Sequence, residues 1–478
     1  MLGLCLRTLD RQTAHACDRD SDRLWIVLTL VAARASLTPA NNRRPTPRTE
    51  TIMESSLAAA RVLESVDAMT DSMVRAVSTL VQIPSVSGTD AENDAQFHMF
   101  ALMQEGGLDT DLWQIDLADM FAKPDFPGVE VDRREAWGLV GRLPGAGDGP
   151  TLMLNGHVDV VPIGDSNAWT FPSFDGSIRG GDLHGRGSCD MKAGLIAAHW
   201  AIQAIRSSRL RLRGDLLLAS VQGEEDGGLG TFAMLQRGWR AEACLIPEPT
   251  NLDVVPANGG SLTFRLRVHG HATHASRRTE GISAIEKFWP IWKALGELET
   301  CRHAHVDPMA ARWKLAHPLS IGTVHAGDWA SSVPDLLIAE GRLGVALDEP
   351  VENARIEFEA AIAAACQADE WLRDHPVDVE WWGGQFASGR LPADSDLVDR
   401  MQRAHSTAST QRPHEVWAAP YGSDLRLLIG QAGIPTLQYG PGDVALAHGP
   451  DELVPVADIA ITARALALMA LDICGIAD

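Results

Sequence analysis

Two short runs carry the residue types of a metal site. In TLMLNGHVDVVP, His157 and Asp159 leave an apolar stretch together, and in GRGSCDMKAG, Asp190 opens a helix-like run with Ala193, Ile196, Ala197, Trp200 and Ala204 at helical spacing. Residues 151–154 are apolar enough for a buried strand and Asn155-Gly156 follows, so His157 and Asp159 are expected just past a strand's C-terminal end. Open α/β sheets bind ligands there. Two residues apart, His157 can ligate a metal while Asp159 accepts the hydrogen bond from its other ring nitrogen, fixing the tautomer. Each signal alone has another reading: an H-x-D is a common surface turn, and Asp190 suits a helix N-cap.

Three more strand-like runs end in acids or histidine. Residues 215–220 (DLLLAS) run into VQGEEDGG and deliver Glu224 and Glu225, although an EE pair by itself usually marks a charged surface turn. Ala243–Ile246 runs into PEPT and delivers Glu248, and residues 434–439 lead through GPGDVALAHGPDE to His448. One edge of one sheet thus receives two histidines and several carboxylates. Carboxylates gathered that closely raise each other's pKa unless a cation holds them. Two divalent ions ~3.5–4 Å apart, bridged by one carboxylate, are the simplest such cation. A mixed imidazole and oxygen set suits Zn²⁺, with Co²⁺ or Mn²⁺ as other occupants. Spacing does not decide which of Glu224 and Glu225 faces the metal.

The elements that must position these residues belong to a chain of 478 residues, enough for two or three domains. Its 41 basic and 63 acidic residues leave a net charge of −22, which disfavours nucleic acid and anionic membrane as partners but not metal cations. The 7 cysteines are odd in number and lack C-x-x-C spacing, which argues against a disulfide framework and a thiolate zinc site. A reducing, cytoplasmic setting is expected. Residues 24–33 are the one stretch resembling a targeting segment, but they are bracketed by acids and by Arg34, and a bilayer span needs ~20 apolar residues. Residues 41–48 (NNRRPTPR) read as a linker, so 1–52 are expected to be a disordered extension outside the fold.

From there residues 54–82 and 91–106 read as helices, and 138–143 as a strand. Between 259 and 386 the rhythm changes. Residues 261–268 read as a strand, 281–298 as a helix, 319–324 and Leu336–Val345 as strands, 351–371 as a helix and 377–381 as a strand. That β-α-β-β-α-β order is ferredoxin-like. It interrupts the rest, so the expected organisation is a discontinuous α/β domain, residues 53–258 and 387–478, with a central mixed and mainly parallel sheet, plus an inserted α+β domain at 259–386. The chain has no G-x-S-x-G elbow, Walker loop or complete G-x-G-x-x-G, which argues against serine-hydrolase and nucleotide-dependent chemistry.

In their order, GHVDVVP, GRGSCDMKAG, GEEDGG, PEPT and AHGPDE resemble the co-catalytic zinc hydrolases that include acetylornithine deacetylase, succinyl-diaminopimelate desuccinylase, aminoacylase and carboxypeptidase G. The likeness runs from Met53 to the C-terminus. It implies that His157, Asp190 and Glu248 hold one metal, that Asp190, Glu225 and His448 hold the other, that Asp159 orients His157, and that Glu224 is the general base. It further implies that the inserted domain is a lid and dimerisation domain. His274 in HGHATHAS would then reach an active site, often the partner subunit's, and Arg342 in EGRLGV would bind a substrate carboxylate. Where many relatives have an Asn before Val-Ile-Pro in the lid, this chain has Ser331-Ser332-Val333-Pro334. The expected activity is hydrolysis of the amide of an N-acyl amino acid or similar small carboxylate-bearing compound. A carboxypeptidase or dipeptidase acting on a short peptide is the alternative, and a silent relative serving as a binding protein is the alternative of another class.

Overall fold

The computed structural model describes residues 47–409 and 414–477. Most of the expected extension, up to residue 46, lies outside these residues, as does the stretch that resembles a targeting segment. The first described element, the helix Pro47–Val81, begins upstream of the expected boundary at Met53. Among the described residues no helix is long and apolar enough to cross a membrane.

A 9-stranded mixed sheet organises the larger part of the fold. Its order is Asp109–Gln114, Trp137–Leu143, Leu216–Val221, Leu152–His157, Ala243–Ile246, Thr436–Gln438, Val254–Asn258 and Gly389–Arg390, with Val416–Ala419 paired to Val254–Asn258 off this path. The centre is parallel, since Leu152–His157 pairs in parallel with both Leu216–Val221 and Ala243–Ile246, and Ala243–Ile246 with Thr436–Gln438. Strand alternation sends side chains to two cores. Leu152, Leu154, Leu216, Leu218 and Leu245 face one layer, where the helices Asp90–Glu105, Ala193–Ser207 and Val456–Cys474 supply Met99, Ile196, Ile202 and Leu466. Met153, Leu217, Ala219, Cys244 and Ile246 face the other, against Phe232, Leu235 and Leu428 from the helices Leu229–Gln236 and Leu425–Ala432. Central strands covered on both faces read as continuous apolar runs, which is why 215–220 and Ala243–Ile246 stood out.

A separate 4-stranded antiparallel sheet has the order Leu319–Ala326, Leu336–Val345, Gly260–His269 and Asp378–Phe386. The helices Ala284–Arg302 and Val351–Ala368 cover one face, packing Phe288, Ile291, Phe358 and Ile362 on Phe264, Leu266, Leu337 and Ala339. In chain order the elements run β-α-β-β-α-β. The stretch 351–371 is not one helix as expected: Asp369, at φ −106 and ψ 134, ends Val351–Ala368, and its carboxylate caps Glu370–Asp374 by accepting the N–H groups of Trp371 and Leu372. On the exposed side of Ala284–Arg302, Ile285, Trp289 and Trp292 form an apolar stripe at i, i+4 and i+7 spacing.

Candidate metal centre

The parallel strands all deliver their chemistry at one edge. His157 is the last residue of its own strand rather than the first beyond it. Glu224 and Glu225 follow Leu216–Val221 through Gly223, whose φ of 72 turns the chain. Glu248 lies two residues beyond Ala243–Ile246, and His448 follows Thr436–Gln438 after a loop. His448 itself sits at φ 61, a left-handed conformation that an L residue adopts at a cost of about 1–2 kcal/mol. Asp190 differs from the expected helix start. It has φ −114 and ψ 98, and the regular helix begins only at Ala193, so its side chain is free to stand between the two imidazoles instead of capping.

His157 Nε2 lies 3.4 Å from Asp190 Oδ1 and 3.9 Å from Glu248 Oε1. His448 Nε2 lies 3.4 Å from Asp190 Oδ2 and 3.1 Å from Glu225 Oε2. These are two three-residue sets of potential ligand atoms, His157/Asp190/Glu248 and Asp190/Glu225/His448, each within 4.8 Å of one another and joined by Asp190. The two oxygens of one carboxylate serve one set each, which is the geometry of a bridging ligand. A pair of cations fits this donor set on a further ground: His157 Nε2 is buried and has no hydrogen-bond partner among the described residues, although carboxylates surround it. A buried polar atom left in that state is costly unless something is bound there.

Electrostatics agree with a site built for positive charge. Burial works against the charge on Asp190, but His157 and His448 on either side outweigh it and hold its carboxyl well below the usual range. Burial pushes Glu248 up, and Asp190 adds to that. Burial, then the charge of Asp424, raises Glu224 well above an ordinary carboxyl. Burial opposes the protonation of His157, yet Asp190, Asp159 and Glu248 raise it far above an ordinary imidazole. Glu225 above all raises His448, to about 11.

Around these residues lies a supporting layer. His157 Nδ1 is 2.9 Å from the main-chain carbonyl of Asp159, whose carboxylate is 3.7 Å away, so the ring's near partner is the Asp159 backbone and not, as expected, its side chain. The Asp159 carboxylate instead accepts the N–H groups of Glu224 and Glu225, at 3.3 and 3.2 Å, and the Ser87 hydroxyl. Glu452 accepts the N–H groups of Cys189 and Asp190 and pairs with Arg186 at 2.6 Å, both side chains buried. Arg133, its side chain 2% exposed, bridges Glu92 and Asp226 and so anchors the Glu224–Glu225 loop from its far end. Asp424, buried, accepts the Thr231 hydroxyl at 2.5 Å.

Sequence reasoning missed this layer. Glu452 lies inside AHGPDE, where its place beside the His448 motif was the available signal. Asp132-Arg133-Arg134-Glu135 reads as a solvated charge run, and burial of the Arg133 side chain is a tertiary fact.

A cavity of about 540 Å³ opens on the site. Asp190, Glu224, Glu225, Glu248 and His448 line its metal end, and Arg342, Phe386 and Tyr421 are among the residues lining the rest. The Tyr421 hydroxyl is buried and has no hydrogen-bond partner among the described residues. His274 is not among the lining residues. It is exposed, its Nδ1 2.8 Å from the Ser276 hydroxyl and accepting the Ser276 N–H, so within one subunit it does not join the other predicted site residues.

A cavity ending in two joined His/carboxylate sets, with one more buried carboxylate beside them, has the donors a two-metal hydrolase needs. Residues 153–472 match Peptidase family M20/M25/M40, and the chain belongs to that family, whose members are hydrolases of amide bonds. It is 27% identical over 428 residues, 83% of this chain and 93% of the relative, to N-formyl-4-amino-5-aminomethyl-2-methylpyrimidine deformylase of Halalkalibacterium halodurans. It is 33% identical over 396 residues, 80% of this chain and 90% of the relative, to succinyl-diaminopimelate desuccinylase of Methylobacterium sp. strain 4-46. The solved structure of the dipeptidase Dug1p from Saccharomyces cerevisiae shares the fold with a TM-score of 0.71 at 14% identity, covering 86% of this chain and 98% of that one.

Proposed function

We propose that the protein removes a small acyl group from the nitrogen of an N-acyl amino acid or related small amide, with two Zn²⁺ ions as its resident metals. The observation that carries this reading is the position of Asp190, one carboxylate oxygen toward each imidazole, at the end of a cavity lined also by Glu224. Both curated relatives are named for removing an acyl group from a small molecule, which favours deacylation over peptide cleavage. A carboxypeptidase or dipeptidase would use the same residues on a peptide bond. Presence of the whole ligand set and of Glu224 argues against a silent binding protein.

His157, Asp190 and Glu248 would hold one ion, and Asp190, Glu225 and His448 the other; two imidazoles with oxygen ligands suit Zn²⁺, and also Co²⁺ or Mn²⁺. When bound, such ions bring the pKa of water toward neutrality and polarise a carbonyl oxygen. Glu224 is the general base. Its raised proton affinity lets the carboxylate take a proton from water and hand it to the departing amine nitrogen. Arg342, at the cavity wall, is the group for a substrate carboxylate.

The inserted domain, residues 259–386, acts in this reading as lid and dimer interface, supported by the exposed Ile285, Trp289 and Trp292 stripe. His274, exposed and remote from its own cavity lining, would serve the partner subunit's site as a donor to the scissile carbonyl oxygen. Free Cys189, Cys244, Cys301, Cys366 and Cys474 support a reducing, cytoplasmic setting. The test is the metal-loaded protein incubated with mixed N-acyl amino acids and dipeptides and read by mass spectrometry. Free amino acids from the acylated set alone are expected. Cleavage of dipeptides alone would give the alternative, and no cleavage at all would overturn the reading.

A further inference from the structure

Arg342 is already engaged. Its Nη2 donates to Glu130 Oε1 at 3.0 Å, and Phe386 lies across its guanidinium, Cζ to ring centroid 5.8 Å. Glu130 is not part of the cavity wall and belongs to none of the motifs. The same Oε1 also accepts the Thr263 hydroxyl at 2.7 Å and the Gly384 N–H at 3.3 Å, so one carboxylate oxygen meets three strands of the smaller sheet. Its own N–H donates to Asp226 Oδ2 at 3.1 Å, and Asp226 is in turn fixed by Arg133. Glu130 is therefore held from both sides.

A guanidinium recognises a carboxylate best when its fork of N–H donors is free for two parallel bonds and its charge is uncompensated. At Arg342 one terminal nitrogen is committed and a fixed anion stands 3.0 Å away. An incoming carboxylate must share the cation with Glu130 and approach against its charge. A neutral amide group meets no such opposition. Building a repulsive element beside an attractive one is a recognised route to selectivity.

We propose that Glu130 is a specificity-positioning residue, acting through Arg342 to weaken the cavity's hold on substrate carboxylates, so that neutral and anionic acyl-amides are accepted on nearly equal terms. This rests on the amidohydrolase reading above and deepens it. It widens the substrate class from N-acyl amino acids to N-acyl amines without a free carboxylate.

The test uses the full-length, metal-loaded protein and a matched pair of substrates, N-acetylalanine and its neutral N-methylamide. In the wild type the two kcat/KM values for deacetylation are expected within about tenfold of each other. Glu130→Gln keeps an oxygen for Thr263 and Gly384 but removes the charge. It should raise kcat/KM for the acid about fivefold through KM, the equivalent of one modest ion-pair contribution, with kcat and the amide unchanged. In an Arg342→Met background the same substitution should change neither. A wild type that prefers the acid by more than about a hundredfold, as an unopposed charge-assisted contact allows, overturns the proposal even if the variant fails to fold. So does a Glu130→Gln protein in which acid and amide shift together. Should neither compound be hydrolysed, the mixed panel above decides the amidohydrolase reading, while calorimetric affinities for the same pair still decide the role of Glu130 by the same ratios.

Discussion

Glu452 Oε1 accepts the main-chain N–H of Asp190 at 3.1 Å, so the carboxylate shared by the two imidazoles is held from behind by another that is not a ligand. Glu452 is also the buried partner of Arg186. Glu452→Gln would leave that guanidinium uncompensated behind the site. We predict that metal affinity or activity falls about 10–100-fold, as for other groups that orient ligands. Competition with a chromogenic chelator measures the affinity, and an unchanged Kd together with unchanged turnover would remove Glu452 from this role.

Glu224→Gln should separate binding from chemistry. The variant keeps the shape of the buried side chain and leaves both ligand sets unchanged, so both ions should remain by elemental analysis while kcat drops by at least about 10²–10⁴-fold. Wild-type turnover in that variant would show that the proton is handled elsewhere.

Metal loading should expel protons. Glu225 raises His448 to about 11, Asp190, Asp159 and Glu248 raise His157, and burial raises Glu248, so at neutral pH arriving ions must displace protons from both imidazoles and from the Glu248 carboxyl. Affinity therefore weakens as pH falls. Calorimetry in buffers of different ionisation enthalpy counts the protons, and chelation followed by re-addition of Zn²⁺ should abolish and then restore turnover. Equal affinity at pH 6 and pH 8 would contradict the expectation.

The helix Ala193–Ser207 carries a second titration. Burial lowers His199 from 6.5 to about 4, so between those values the unfolded chain holds a proton that the folded chain does not. Stability from this group is complete above pH 6.5 and is lost as the pH falls toward 4, by about 3 kcal/mol for a shift of that size. Urea unfolding of wild type and His199→Leu across this range should show the variant with the shallower pH dependence. Parallel curves would refute it.

If the inserted domain pairs two subunits, Trp289→Glu should yield monomers by sedimentation velocity. His274→Ala should lower kcat about 10²–10³-fold, as for loss of one oxyanion donor, without loss of metal. Mixing His274→Ala with Glu224→Gln subunits should then restore part of the activity. No recovery from mixed dimers would rule out that His274 serves the partner subunit's site.

How much of this was legible depended on what each residue reports locally. The strands that deliver His157, Glu224 and Glu248 are covered on both faces, so they appear as unbroken apolar runs, and the residues following them mark the sheet edge. The strand Asp109–Gln114 falls in a stretch expected to hold short strands, but its bounds were not legible because it lies at the margin with mostly half-exposed side chains. The strand Val254–Asn258 contains Pro256, which breaks the usual pattern of a buried strand. Arg133, Glu130 and Asp424 act through partners dozens to hundreds of positions away, and no local pattern encodes those pairings. Asp190 was found by motif, but its extended backbone was not, since the apolar rhythm of the following helix begins only three residues later.

The groups that would grip the ions hang from the large sheet, whereas Ser261, Ser320 and Arg342 at the cavity's other end hang from the small one, and each sheet packs its own apolar interior. Substitutions near Arg342 can therefore accumulate on one scaffold while both ligand sets stay on the other. Such a molecule is suited to changing its diet while keeping its teeth.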